Sequence, residues 1–223
     1  MRHPLRLFVV PVMLAVMLVG APVQTAEAWT GRYSVYRPDS FVRQVNNHAC
    51  VGASVQMMLN MILDRSDRSG ENQRTYLRYA RDNSRYTITN GGADPRGWAL
   101  ALRHFGGGDY KVGGKYSMQG SLKQAAKRMR ATGKPVGLLV WRGGHAWVMT
   151  GFKATADPAK TRNFKVTGVQ AMGPLWPDGT INGRLYDPGP KTWLGLSALK
   201  QKFKSYKWAP AKSWNGRWIT VIP

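Results

Sequence analysis

The chain holds a single cysteine, Cys50, so an internal disulfide is excluded and stability must come from packing. Acidic residues are also scarce: 11 Asp and Glu face 33 Lys and Arg, giving a formal charge of +22. That imbalance says little about fold. It attracts anionic surfaces such as wall polymers, acidic lipids, nucleic acid or acidic substrates, and beside that stands the plainer reading of a solvated basic surface. The four histidines are dispersed and make no metal-ligand cluster with the one cysteine. No phosphate-binding loop is present, because Gly106-Gly107-Gly108-Asp109 lacks the Lys-Ser/Thr that would hold a nucleotide. The reading therefore expects no cofactor and no metal. Internal repeats and low-complexity tracts are absent, and after the N-terminus no apolar run suggests a membrane span.

What is present begins with Met1 to Ala28, which reads as a secretory signal peptide. Arg2 and Arg6 form a positive start, Leu7 to Ala21 is apolar, and Ala26-Glu27-Ala28 fits the small-x-small cleavage rule. An uncleaved anchor is the alternative. Cleavage near Ala28 implies a secreted protein, one domain over residues 29–223. Removing Arg2, Arg6 and Glu27 takes the formal charge from +22 to +21. In an exported chain a lone thiol is either reactive or paired between molecules.

The stretch from Gln44 to Leu63 organises the rest. Val51, Val55, Met58, Leu59 and Ile62 form one apolar stripe at helical spacing, widened by Ala53, Met57 and Met61. A helix that apolar is covered on most sides. Cys50 falls in its first turn, where unpaired N–H groups and the helix dipole favour a negative charge, as a nucleophilic thiolate requires. The alternative is a small buried core cysteine.

Further along, Glu71 to Asn83 has helical spacing. Asp94-Pro95 is an N-cap followed by proline in the first turn. Gly120-Ser121 opens another helix that Gly133 closes. The period then changes: Pro135 to Trp141, His145 to Phe152 and Phe164 to Met172 read as strands, with a tight Arg142-Gly143-Gly144 turn after the first. Ser197 caps a helix to Phe203, and Trp218 to Ile222 is a terminal strand. Helices first and antiparallel strands second predict an α+β domain with its helices on one side of the sheet.

A cysteine nucleophile needs a base, usually histidine, supplied by the fold. His48 reads as exposed, and His104 as the cation favoured at a helix C-terminus. His145, at the start of a strand, can face a neighbouring helix terminus; otherwise it is a hydrogen-bonded core histidine. Acyl transfer also needs oxyanion donors. Gln44 precedes Cys50 in a loop that folds back toward the helix start, so its amide and the Cys50 N–H can share the oxygen.

Taken together, these residues resemble the papain-like cysteine peptidases, and within them the C39-like group. The resemblance rests on Gln44-x5-Cys50 with Ala-Ser-Val-Gln-Met-Met-Leu behind it, on Gly133-Lys-Pro-Val, and on Gly143-Gly-His145-Ala-Trp-Val-Met-Thr-Gly; it covers about Arg43 to Asp187. It implies a papain-like fold and a thiol hydrolase with Gln44 in the oxyanion hole, Cys50 attacking and His145 as base, acting on peptide or protein substrates. The chain departs from the family twice. Val51 follows the nucleophile where the family has a small residue, and the acid expected in Asp-Pro at the end of the strand after the histidine strand is not there. Asp157-Pro158 comes too early and Asp187-Pro188 too late. Asp187 either orients His145 from a displaced position or simply forms a turn, leaving a Cys–His dyad or an inactive relative. The last case gives a second reading, a basic binding protein for anionic cell-surface polymers. No specific nucleic acid is expected, and a monomer is.

Overall fold

The first regular element lies in the segment with the least sequence pattern: a short strand, β1 (Arg32–Ser34). The apolar run after it is the helix α1 (Cys50–Ile62), buried from Val51 to Met61. Two further helices follow. In α2 (Gly70–Asp82) the Ser69 side chain accepts from Asn72 N. In α3 (Pro95–His104) the Asp94 side chain accepts from Gly97 N, with proline opening the first turn. After strand β2 (Lys111–Lys115) comes α4 (Met118–Thr132). It starts earlier than Gly120-Ser121 suggests, because the Ser117 side chain caps it, and it ends at Gly133 in the left-handed region, φ 66°.

The second half is mostly strand: β3 (Val136–Val140), β4 (His145–Ala154), β5 (Val166–Met172), β6 (Thr180–Ile181), β7 (Arg184–Leu185) and β8 (Thr192–Gly195). A short helix α5 (Leu196–Lys202) and a final strand β9 (Trp218–Ile222) complete it. Gly195, not Ser197, stands at the α5 N-cap, without a side-chain cap. The computed structural model describes residues 28–88, 91–178, 180–181, 184–185, 187–208 and 212–223; the signal-peptide reading lies outside them. Among the described residues no helix is long and apolar enough to cross a membrane.

The sheet runs β2-β9-β3-β4-β5-β8, with β1 also paired to β4, and all its pairings are antiparallel. The mixed α+β class is therefore as expected, but the helices are not confined to one side. On one face α1, α2 and α3 pack through Val55, Leu77 and Trp98 against Leu139, Ala146, Val148 and Val221. On the other, α4 and α5 pack through Leu122, Met129 and Leu199 against Leu138, Val140, Trp147 and Met149. The physical reason is in the strands. All five positions of β3 are buried, so both of its faces need cover. The alternation along β3 and β4 sorts successive side chains into two cores.

Candidate active site

Three segments that are distant in sequence meet at one end of the sheet: the start of α1, the start of β4 and the chain around Asp187. Cys50 is the first residue of α1. Its N-cap Ala49 offers no side-chain hydrogen bond, and the first turn carries no acid. The first-turn N–H groups are thus left without a side-chain cap, an environment that favours an anion. Buried polar groups hold the chain leading to it. Val45 N donates to Gln73 Oε1 (2.7 Å), while Gln73 Nε2 donates to Arg43 O and to Gln56 Oε1 (3.0 Å each). Gln73 is fully buried on α2, so it clamps the loop before Cys50 to that helix. Gly52 permits the approach: a Cβ there would come 2.6 Å from Gln73 O.

His145 opens β4 after the turn Trp141–Gly143. Trp141, Arg142 and Gly143 all have positive φ, 53°, 61° and 102°. Two of the three are not glycine, so backbone strain collects directly before the histidine. Gly143 is required for a second reason, since a Cβ would sit 2.3 Å from the Tyr206 ring. The Trp141 ring stacks on the imidazole, with centroids 4.4 Å apart and an 18° interplanar angle.

His145 is 5% exposed and Asp187 2%. His145 Nε2 meets both carboxylate oxygens of Asp187, at 2.9 and 3.1 Å. Two more donors hold that carboxylate: Trp147 Nε1 donates to Oδ1 (2.7 Å) and Leu175 N to Oδ2 (2.7 Å). Asp187 is thus a buried, fully engaged acid rather than only a turn former. Its late position in the chain is explained by a loop that closes on itself. The chain leaves β5 at Gly173 and returns at Asp187, and Gly173 N donates to Pro188 O (2.9 Å). Gly173 has no side chain to obstruct the acid, and a Cβ there would lie 2.4 Å from Asp187 Cγ. The earlier Asp157-Pro158 serves elsewhere, as Asp157 pairs with Arg130 of α4 through two hydrogen bonds, 3.1 and 3.2 Å.

Burial opposes a charge on His145, but hydrogen bonds to Asp187 and Cys50, with the charges of both, outweigh it and raise the imidazole from 6.5 to about 9. With Nε2 engaged by Asp187, Nδ1 is the nitrogen left to serve the thiol. Cys50 and His145 share the wall of a cleft of about 400 Å³.

Gln44 is placed less simply. Its side chain is buried beside Asn46, with Nε2 donating to Asn46 O (2.6 Å) and Oε1 without a hydrogen-bond partner among the described residues. Asn47 and His48, not Gln44, line the cleft near Cys50. His104 ends α3 and stacks on Tyr79 at 4.1 Å, away from the cleft. Sequence reading did not single out Trp141, Trp147 or Gln73. A signal existed for Trp147 alone: it stands two residues after His145 and so shares its face of β4. Among the described residues no group of His, Cys, Asp and Glu side chains could hold a metal ion. No protein-family model and no curated protein matches the chain.

Proposed function

We propose that this protein is an exported cysteine hydrolase of the papain-like, C39-like kind, acting on peptide or amide bonds. The observation that carries this is His145: one buried imidazole interacts with the Cys50 thiol and with the carboxylate of Asp187, beside an open cleft. Nucleophile, base and orienting acid follow one another in the chain in that order and meet at one end of the sheet.

In this reading Cys50 Sγ attacks the carbonyl carbon while the proton rests on His145. The negative oxygen that forms takes a hydrogen bond from the Cys50 N–H, while Gln44, whose amide is held on Asn46 O outside the cleft lining, supports the loop that leads to Cys50. The C–N bond then breaks, His145 gives its proton to the departing amine, and a thioester remains on Cys50. Water attacks the thioester, His145 takes the water's proton, and the carboxylic acid leaves as Cys50 is restored. Asp187 keeps the ring oriented and balances its positive charge, and Trp141 shields one ring face from water. Gly173–Asp187 closure supports the same reading, since it brings the acid to the end of the strand that follows the histidine strand.

The test is the pH dependence of Cys50 alkylation by iodoacetamide, comparing wild type with His145→Ala. Wild type is expected to be alkylated much faster near neutral pH than His145→Ala, because the imidazole takes up the thiol's proton. The same rate and the same pH dependence in both proteins would overturn the catalytic reading.

A further inference from the structure

The cleft at Cys50 shares Ile88 and Gly92 with a second cavity of about 220 Å³. Ile88 is the apolar side chain common to both, and Val51, Ala93 and Leu139 continue the apolar lining of the Cys50 cleft. The second cavity is polar and cationic: Arg81 and Arg85 line it, with Asp82, Ser84, Tyr86 and Thr87. Of its charged lining residues two are arginines and one is an aspartate.

The cavity is also built rather than incidental. Asp94, 1% exposed, accepts from Arg85 N (2.6 Å) and Tyr86 N (2.9 Å) with Oδ2 and from Gly97 N with Oδ1 (2.8 Å). The same carboxylate that caps α3 therefore fixes the backbone carrying Arg85. The Arg85 guanidinium lies over the Tyr86 ring, 5.5 Å from its centroid. Arg81 comes from the last turn of α2, where a cation is favoured by the helix end, and its guanidinium lies against Gly91.

We propose that this arginine-lined cavity is a substrate subsite for a carboxylate side chain, and that the protein acts on acidic peptides. A chain lying past Ile88 would set its reacting carbonyl at Cys50 and an acidic side chain between Arg81 and Arg85. A planar guanidinium suits a carboxylate because it offers parallel N–H donors. The apolar lining around Ile88 suits a peptide better than a uniformly charged polymer. The strongly basic surface adds long-range attraction for an acidic substrate.

The inference rests on the hydrolase reading for its substrate, and its test does not need turnover. Blocked pentapeptides of Ala and Gly carrying one Glu at each position in turn, and their Gln counterparts, serve as protectants against iodoacetamide alkylation of Cys50. At one position the Glu peptide is expected to protect at about tenfold lower concentration than its Gln partner, an ordinary margin for a charge-assisted contact. The advantage should vanish in the R81A/R85A variant, with protection in each protein measured against its own unprotected alkylation rate. Equal protection by Glu and Gln peptides, an advantage that survives in the variant, or no protection by any peptide would each overturn the subsite. Failure of the hydrolase reading looks different: alkylation independent of His145, whatever the peptides do.

Discussion

At the scale of single residues, the weight falls on Asp187. Its carboxylate takes three donors, from His145, Trp147 and Leu175, and is closed to water. Asp187→Asn keeps the shape and removes the charge that helps hold a proton on His145. Alkylation of Cys50 near neutral pH should fall several-fold, because the imidazolium that stabilises the thiolate loses its buried counter-charge. A rate equal to wild type would reduce Asp187 to a structural role. The same ring predicts a pH dependence of stability. Folded His145 holds its proton up to about 9, against 6.5 for an ordinary histidine. A raised value in the folded state contributes stability that is fully present below about pH 6.5 and is lost as pH rises through about 9. Thermal melts across that window should show wild type losing stability relative to His145→Asn, whose own curve lacks this component.

At the scale of elements, two glycines separate the site from the core. A Cβ at Gly173 meets the Asp187 carboxyl group, and a Cβ at Gly137 on β3 comes 2.5 Å from the Trp98 ring. Gly137→Ala overpacks the core and should cost about 1–3 kcal/mol by urea unfolding, with the alkylation profile unchanged. Gly173→Ala should shift that profile toward the Asp187→Asn behaviour. If both variants behaved alike in the two assays, the division between core and site would fail. These elements also differ in how much of them could be read in advance. The α1 stripe, the Asp94-Pro95 start and the Gly133 stop depend on neighbours in sequence, and they stand where the pattern puts them. Strands β1 and β8 are short, and what makes them strands is a partner, β4 or β5, supplied only by folding. Helices on both faces were foreshadowed by the unbroken apolar run of β3, whose double burial the α-then-β order of elements obscured. Cys50 and His145 could be singled out as a pair because each sits at the start of a regular element. Asp187 stood open to two readings, orienting acid or turn former, since its place depends on where a loop closes.

At the scale of the whole molecule, charge is the dominant feature. Among the described residues most ion pairs are at the surface: Arg37–Asp64, Arg43–Asp178, Arg68–Asp39 and Arg103–Asp109 all have well-exposed side chains. Such pairs contribute about 0–1 kcal/mol each and cannot offset the repulsion of a formal charge of +22. Added salt should therefore stabilise the fold. Raising NaCl from about 0.01 M to 0.15 M shortens the screening length from about 30 Å to 8 Å, and the melting temperature is expected to rise. A fall would mean that favourable pairs outweigh repulsion. The closure between Gly173 and Pro188 has a consequence for how the chain can change in length. Because the acid is fixed by hydrogen bonds at the loop's base, residues could be added between Leu175 and Asp187 without moving it. Each doubling of such a loop adds only about 0.6 kcal/mol of closure entropy. A search for kin of this protein that demands a constant distance between histidine and aspartate would pass over chains carrying the same chemistry.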